Sequence, residues 1–106
     1  MVNPARSTSE PVIDGPLPNC KGYQQLNAAS LASVQVLTVP PATSMVLLQA
    51  EGANVRYRAD GINPTASVGM LIKDGNEVLY AASLESIAAI AFIGASTGAI
   101  LNATYY

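Results

Sequence analysis

The sequence contains no histidine, a single cysteine and few charged side chains. Without histidine, the His-based nucleophilic triads and the common zinc sites are excluded. Cys20 has no second cysteine with which to form an intramolecular disulfide, which fits assembly in a reducing cytosol. The seven acidic residues are scattered over separate turns, so their spacing predicts no paired-carboxylate site. We therefore expect a protein that is not an enzyme and that binds no cofactor and no metal ion.

Charge is scarce: 11% of the residues are charged, against about 25% in a typical soluble domain, while 50% are hydrophobic. So few charges leave much of the surface apolar or neutral polar, which indicates a subunit covered by partners. The high hydrophobic content and a net charge of −2 argue against disorder over most of the chain. Five basic residues and a pI near 4.7 give no reason to expect a nucleic-acid partner.

Long hydrophobic runs are also missing. The longest covers residues 87–95, whereas a membrane-spanning helix needs about 20 residues. The first residues, 1–9, include no apolar segment of the kind that a secretory signal requires. The sequence therefore predicts neither a membrane partner nor a signal peptide.

Two regions of different composition divide the chain. Residues 1–22 contain four of the seven prolines and only scattered apolar side chains, which predicts an extended arm of polyproline character. Val12, Ile13 and Leu17 are the candidate anchors of this arm on a neighbouring subunit. Residues 23–106 form the second region, which has the composition of one folded domain.

The second region alternates with a period of two and is interrupted by turn residues every 8–12 positions, a pattern typical of sandwiches and barrels. The predicted strands cover residues 31–39, 44–51, 54–59, 68–73, 77–82, 87–95 and 99–106. Asp74-Gly75-Asn76 joins two of them as a predicted hairpin, with Gly75 or Asn76 at positive φ. For residues 84–93 a helix is the alternative, because Leu84, Ile87 and Ala91 also fit a helical period.

We therefore expect an all-β protein, an antiparallel β-sandwich or jelly roll of seven or eight short strands with an extended N-terminal arm. The sequence leaves open whether the strand order is that of a jelly roll or of an immunoglobulin-like sandwich. Exposed strand edges are expected at residues 34–39 or 54–59, where a neighbour could add a strand.

Three further residues are candidates for an interface. Arg56 and Arg58 project from one strand face and would contact an acidic neighbour or a glycan. The alternative is an intramolecular ion pair of these arginines with Asp60, Glu51 or Glu85. Tyr106 is expected at the surface or in an interface, whereas alternation places Tyr105 in the core.

Several segments carry a family resemblance: Gln49-Ala-Glu-Gly52, Asn54-Val-Arg-Tyr-Arg58, Asp60-Gly-Ile-Asn-Pro-Thr65, Gly69-Met70 and Leu101-Asn-Ala-Thr-Tyr-Tyr106. Over residues 46–106 the chain resembles small β-structured virion proteins of tailed bacteriophages, and it is most similar to capsid cement or decoration proteins. The resemblance implies a non-enzymatic subunit that binds the outside of a phage head and stabilises it. Its partners would be the major capsid protein and copies of itself, as a dimer or trimer.

Two other functions remain open at this point. One is a tail, neck or fibre-attachment component of the virion, which would carry a receptor contact through Arg56 and Arg58. The other is a carbohydrate-binding β-sandwich. The number of copies per virion separates a cement protein from a tail component.

Overall fold

The strands of this protein form where apolar and polar residues alternate. The computed structural model describes residues 19–106, and within that part of the chain it contains eight strands: β1 (Gly22–Leu26), β2 (Gln35–Val36), β3 (Met45–Glu51), β4 (Val55–Arg58), β5 (Met70–Ile72), β6 (Glu77–Ala81), β7 (Ala91–Gly94) and β8 (Ile100–Tyr105). In β3 the alternation is clear, because Val46, Leu48 and Ala50 are fully buried. The strands expected at residues 44–51, 54–59 and 99–106 are confirmed.

The strands form two antiparallel four-stranded sheets. Sheet A has the order β1-β8-β3-β6, and sheet B has the order β2-β7-β4-β5. The pairs β1–β8, β2–β7, β3–β6 and β4–β5 are nested, as in one long hairpin whose tip is the β4–β5 loop. Winding such a hairpin into two sheets produces a jelly roll. The predicted all-β sandwich of seven or eight strands is confirmed, and the strand order selects the jelly roll over the immunoglobulin-like arrangement.

One hydrophobic core lies between the sheets. Its largest fully buried side chains are Tyr105 on sheet A and Phe92 on sheet B. Tyr57 packs against Phe92 with ring centroids 6.0 Å apart. The Tyr105 hydroxyl donates a hydrogen bond of 2.6 Å to Gln24 Oε1, and burial raises the pKa of Tyr105 to about 12. The core position expected for Tyr105 is confirmed.

Two short helical segments cover the core. A 3₁₀ turn spans Ser30–Ala32, and helix α1 spans Leu84–Ala88 with Ser83 as its N-cap. Ser83 therefore begins a helix, and the expected strand at residues 87–95 is reduced to β7, Ala91–Gly94. Both interpretations of this segment were partly right, because the helix and the strand share it. None of the helices in residues 19–106 has the length and hydropathy to cross a bilayer.

The predicted hairpin of residues 68–82 is wrong. Gly75 adopts a φ of +86°, as expected, and the Asn76 N–H donates to the Lys73 carbonyl to close a turn. However, β5 pairs with β4 in sheet B, while β6 pairs with β3 in sheet A. The turn is held instead by the end of β3, because the Gly75 N–H donates to the Ala50 carbonyl at 2.7 Å. These segments are therefore a crossing between the sheets.

The segment at residues 31–39 also differs from its prediction. It contains the end of the 3₁₀ turn and only the two-residue strand β2, which pairs with β7 at an edge of sheet B. Residues 54–59, by contrast, are not an exposed edge, because β4 lies between β7 and β5. The folded strands begin at Gly22, one residue before the expected boundary at 23.

Candidate interaction surfaces

Arg56 lies in β4 and holds the β4–β5 loop in place through two hydrogen bonds. Its Nη1 donates a hydrogen bond of 2.9 Å to the Gly69 carbonyl, and its Nε donates one of 3.4 Å to the Ala66 carbonyl. Arg56 lies on the outer side of β4, opposite Leu71 of β5 and Ile93 of β7. The guanidinium therefore fixes the end of the loop next to β5.

Arg58 follows two positions later on the same side of β4, as the alternation predicts. Its Nε donates a hydrogen bond of 3.0 Å to Asp60 Oδ1, and a second bond joins Nη2 to Oδ2. This bidentate pair raises the pKa of Arg58 and lowers the pKa of Asp60, in both cases chiefly through the hydrogen bonds. The expected alternative, an intramolecular pair with Asp60, is therefore present, and the role of both arginines in an interface stays a prediction.

The β4–β5 loop, residues 59–69, is ordered by its own hydrogen bonds. Thr65 and Val68 exchange backbone bonds of 2.9 and 3.3 Å, and Thr65 Oγ1 accepts from the Val68 N–H at 3.0 Å. Gly69 has a φ of +140°, and a side chain there would meet the Tyr57 carbonyl oxygen at 3.0 Å. Only glycine fits this close approach of the loop to β4 without strain. The loop is therefore a preorganised tip of the jelly roll.

The tip and the start of β5 together display exposed apolar side chains, which we call the tip surface: Ile62 and Val68 on the loop, and Met70 and Leu71 on opposite sides of β5. The first three are 57%, 53% and 62% exposed, and Leu71 is 39% exposed. A depression of about 510 Å³ is lined by two of them, Val68 and Met70, and by the Arg58–Asp60 pair. This surface was not predicted from the sequence, although apolar residues inside a turn-rich segment are a signal that could have indicated it.

The tip surface continues into a free strand edge. Among the described residues β5 pairs only with β4, so its other side carries backbone groups with no strand partner. Val36 on β2, at the opposite edge of sheet B, is 54% exposed. Five of the six large hydrophobic side chains that are exposed in residues 19–106 therefore belong to sheet B or its tip.

Tyr106 lies elsewhere, at the end of β8 in sheet A. Its backbone exchanges hydrogen bonds with Met45, and its carbonyl also accepts from the Ser44 N–H at 2.7 Å. The side chain is half-buried. These contacts tie the C-terminal residue to β3, and the predicted role of Tyr106 in an interface stays a prediction.

The outer face of sheet A is different in character, because polar side chains form a network there. Asn102 accepts hydrogen bonds at Oδ1 from the Tyr23 hydroxyl (2.5 Å) and from Gln25 Nε2 (3.0 Å). Its Nδ2 donates to Glu51 at 2.7 Å and to Gln49 at 3.3 Å. A shallow depression of about 300 Å³ lies over this network. This set was not predicted from the sequence, since its members come from three strands far apart in the chain.

The metal-ligating side chains and the lining of the remaining groove in residues 19–106 offer few groups for catalysis. No cluster of three or more potential metal-ligating side chains occurs in residues 19–106. A groove of about 460 Å³ near the 3₁₀ turn is lined mainly by alanine and glycine and by no ionisable side chain. The interaction surfaces above are therefore the sites from which a function can be argued.

The expected arm anchors Val12, Ile13 and Leu17 lie outside the described residues. Their predicted contact with a neighbouring subunit therefore stays a prediction. Comparisons with protein family models, with curated proteins and with solved structures found no match to this chain.

Proposed function

We propose that this protein is a non-enzymatic structural subunit of a phage virion, a cement protein that binds the outside of the head through its tip surface. The observation that carries the proposal is the concentration of exposed apolar side chains on an ordered loop and on the strand β5 that follows it. A rigid apolar surface loses little conformational entropy when it docks, so most of its burial contributes to binding. The shortage of charge on the whole chain supports a long-lived assembly.

The edge of β5 supports contact with further copies. Its unpaired backbone groups lie next to Met70 and Leu71, so strand addition and apolar burial would occur together at one place. Pairing with the same strand of a second copy would give a symmetric contact of the kind that most homo-oligomers use. The major capsid protein and copies of this chain are thus the proposed partners.

The test is the composition of purified virions that contain the protein. We expect a copy number that matches the capsomer junctions of the head, and we expect heads without the protein to rupture at lower temperature. A copy number of a few per particle would refute the cement role and favour a tail, neck or fibre-attachment component. Equal heat resistance of heads with and without the protein would also refute it.

A pair of variants tests the tip surface itself. Replacing Val68 and Met70 by serine removes apolar contact area without changing a buried residue, so the variant is expected to fold and to fail to join heads. Val36→Ser is the matched control, since Val36 is equally exposed at the opposite edge of sheet B. Incorporation of both variants at the level of the unmodified protein would exclude the tip as the docking surface.

A further inference from the structure

The outer face of sheet A carries two parallel rows of side chains that differ in polarity. In an antiparallel sheet, directly paired residues point to the same side. The first row runs Gln25, Asn102, Gln49 and Glu77 across all four strands, and we call it the polar row. The adjacent row runs Tyr23, Thr104, Leu47 and Leu79; three of its four side chains are hydrophobic, Leu79 among them is buried, and we call it the apolar row.

From this arrangement we propose that the outer face of sheet A binds a neutral oligosaccharide. A pyranose ring has hydroxyl groups along its edge and C–H groups on its face, and the two rows offer a partner to each. The amides of the polar row both donate and accept, as a hydroxyl does. The exposed Tyr23 ring, 61% accessible, offers a flat apolar surface for the face of a sugar ring.

Asn102 positions the other members of the site. Its amide uses both hydrogens and accepts two further bonds, so it is fully engaged within the network. Gln25 and Gln49 are each held by one end of their amide groups. Gln25 Oε1 and Gln49 Nε2 have no partner among residues 19–106, so they are available to a ligand. Side chains fixed in this way on strands lose little entropy when the ligand binds.

The charge of the site selects among ligands. Glu51 and Glu77 line the depression, and no lysine or arginine does. Two carboxylates without a basic neighbour disfavour phosphorylated, sulfated or sialylated ligands. The same carboxylates accept hydrogen bonds from hydroxyl groups, which leaves an uncharged, hydroxyl-rich ligand as the chemical class that fits.

The dimensions of the rows fit a short chain of sugars. Neighbouring strands lie about 4.8 Å apart, so the polar row extends over about 14 Å. The depression over the rows is shallow, which predicts weak binding by one copy. Many copies on one particle would bind a glycan-coated surface by avidity. The site lies on sheet A, away from the tip surface on sheet B, so this inference does not depend on head binding.

The experiment uses the full chain, coupled in many copies to beads and applied to an array of neutral, sialylated and sulfated oligosaccharides. We expect retention on neutral oligosaccharides and none on the anionic ones. Gln49→Leu and Tyr23→Ala are each expected to lower retention about tenfold, since each removes contacts worth about one net hydrogen bond. Gln35→Leu on sheet B is the matched control and is expected to keep full retention.

Gln25→Ala is a second variant at an exposed position, and it keeps the test valid if Gln49→Leu fails to fold. Circular dichroism melting of every variant separates loss of folding from loss of binding. Three outcomes would overturn the proposal: no retention on any neutral glycan, equal retention on sialylated glycans, or retention that Tyr23→Ala and Gln25→Ala leave unchanged. A calcium titration that shows binding in the absence of glycan retention would assign the face to a cation instead.

Discussion

Tyr105→Phe tests how burial of a single phenol makes the stability of this fold depend on pH. Tyr105 is 1% exposed, and burial raises its pKa to about 12, whereas an unfolded tyrosine has a pKa of about 10. Because the folded pKa is the higher one, the stabilisation is complete below pH 10 and is lost as the pH rises towards 12. The full loss is about 2.7 kcal/mol, from two pH units at about 1.36 kcal/mol each.

Removing the hydroxyl abolishes this pH dependence and also one hydrogen bond, that to Gln24 Oε1. The bond is worth about 1 kcal/mol, and Gln24 Oε1 keeps its other donor, the Thr38 N–H at 2.9 Å. The variant is therefore expected to be about 1 kcal/mol less stable at pH 7. The unmodified protein loses about 1 kcal/mol by about pH 10.7, so the two stability curves cross there and the variant is the more stable at pH 11.5.

Urea unfolding followed by circular dichroism from pH 7 to pH 11.5 measures both curves. Gln24→Ala is the control, because it removes the hydrogen bond and leaves the phenol buried, so its curve should stay below that of the unmodified protein without crossing it. Two parallel curves for the unmodified protein and Tyr105→Phe would show that burial does not hold this phenol neutral, and the reasoning would be refuted.

Three further substitutions test the packing of the roll, each by urea unfolding at neutral pH. Phe92→Ala should cost about 3–5 kcal/mol, because it leaves a cavity between the sheets, and a cost below 1 kcal/mol would contradict this. Gly52→Ala should cost more than Gly75→Ala: both have positive φ, but a Cβ at Gly52 lies 2.4 Å from the Gly98 carbonyl oxygen, while a Cβ at Gly75 has open space. Ser83→Ala should cost about 1 kcal/mol, since the Ser83 hydroxyl accepts from the Ser86 N–H at the start of α1, and an unchanged midpoint would contradict this.

The strands that could be predicted from the sequence are those whose two sides differ in polarity. β4 and β8 alternate strictly, and their inner residues are buried as expected. The sequence predicts one strand over residues 31–39, where only β2 forms, because that segment is also apolar and β-branched. There the fold buries Leu31 through a 3₁₀ turn, so an apolar pattern was satisfied by a different local structure.

The crossing at residues 73–76 shows that local sequence can predict a turn without predicting which strands pair on either side of it. An Asp-Gly-Asn turn between two β-rich segments is the usual signal of a hairpin, and the turn itself is present. What decides the pairing is distant in the chain: Gly75 and Asn76 bond to Ala50, and Asp74 Oδ1 accepts from the Gly52 N–H. Pairing of β6 with β3 rather than with β5 therefore depends on contacts that the turn sequence does not contain.

The interaction surfaces could not be predicted from the sequence for the same reason, because residues distant in the chain form them. Arg56 and Arg58 attract attention as the only local concentration of positive charge, yet both are engaged by the β4–β5 loop. The polar row is composed of residues up to 77 positions apart, and only the register of four strands aligns them. A row of amides across a sheet follows from topology, and topology follows from the nesting of all the strand pairs.

In this jelly roll the two proposed activities lie on different surfaces. The inner faces of both sheets are used by the core, so a ligand or partner has only the two outer faces, the edges and the loops. Sheet B and its tip carry five of the six exposed large hydrophobic side chains of residues 19–106, whereas sheet A exposes the polar row and Tyr23. A copy that docks through the tip would therefore keep the polar row open to solvent. From both proposals together, glycan retention by whole particles should exceed that of the single chain, and Val68 and Met70 variants should lose only the particle-borne part.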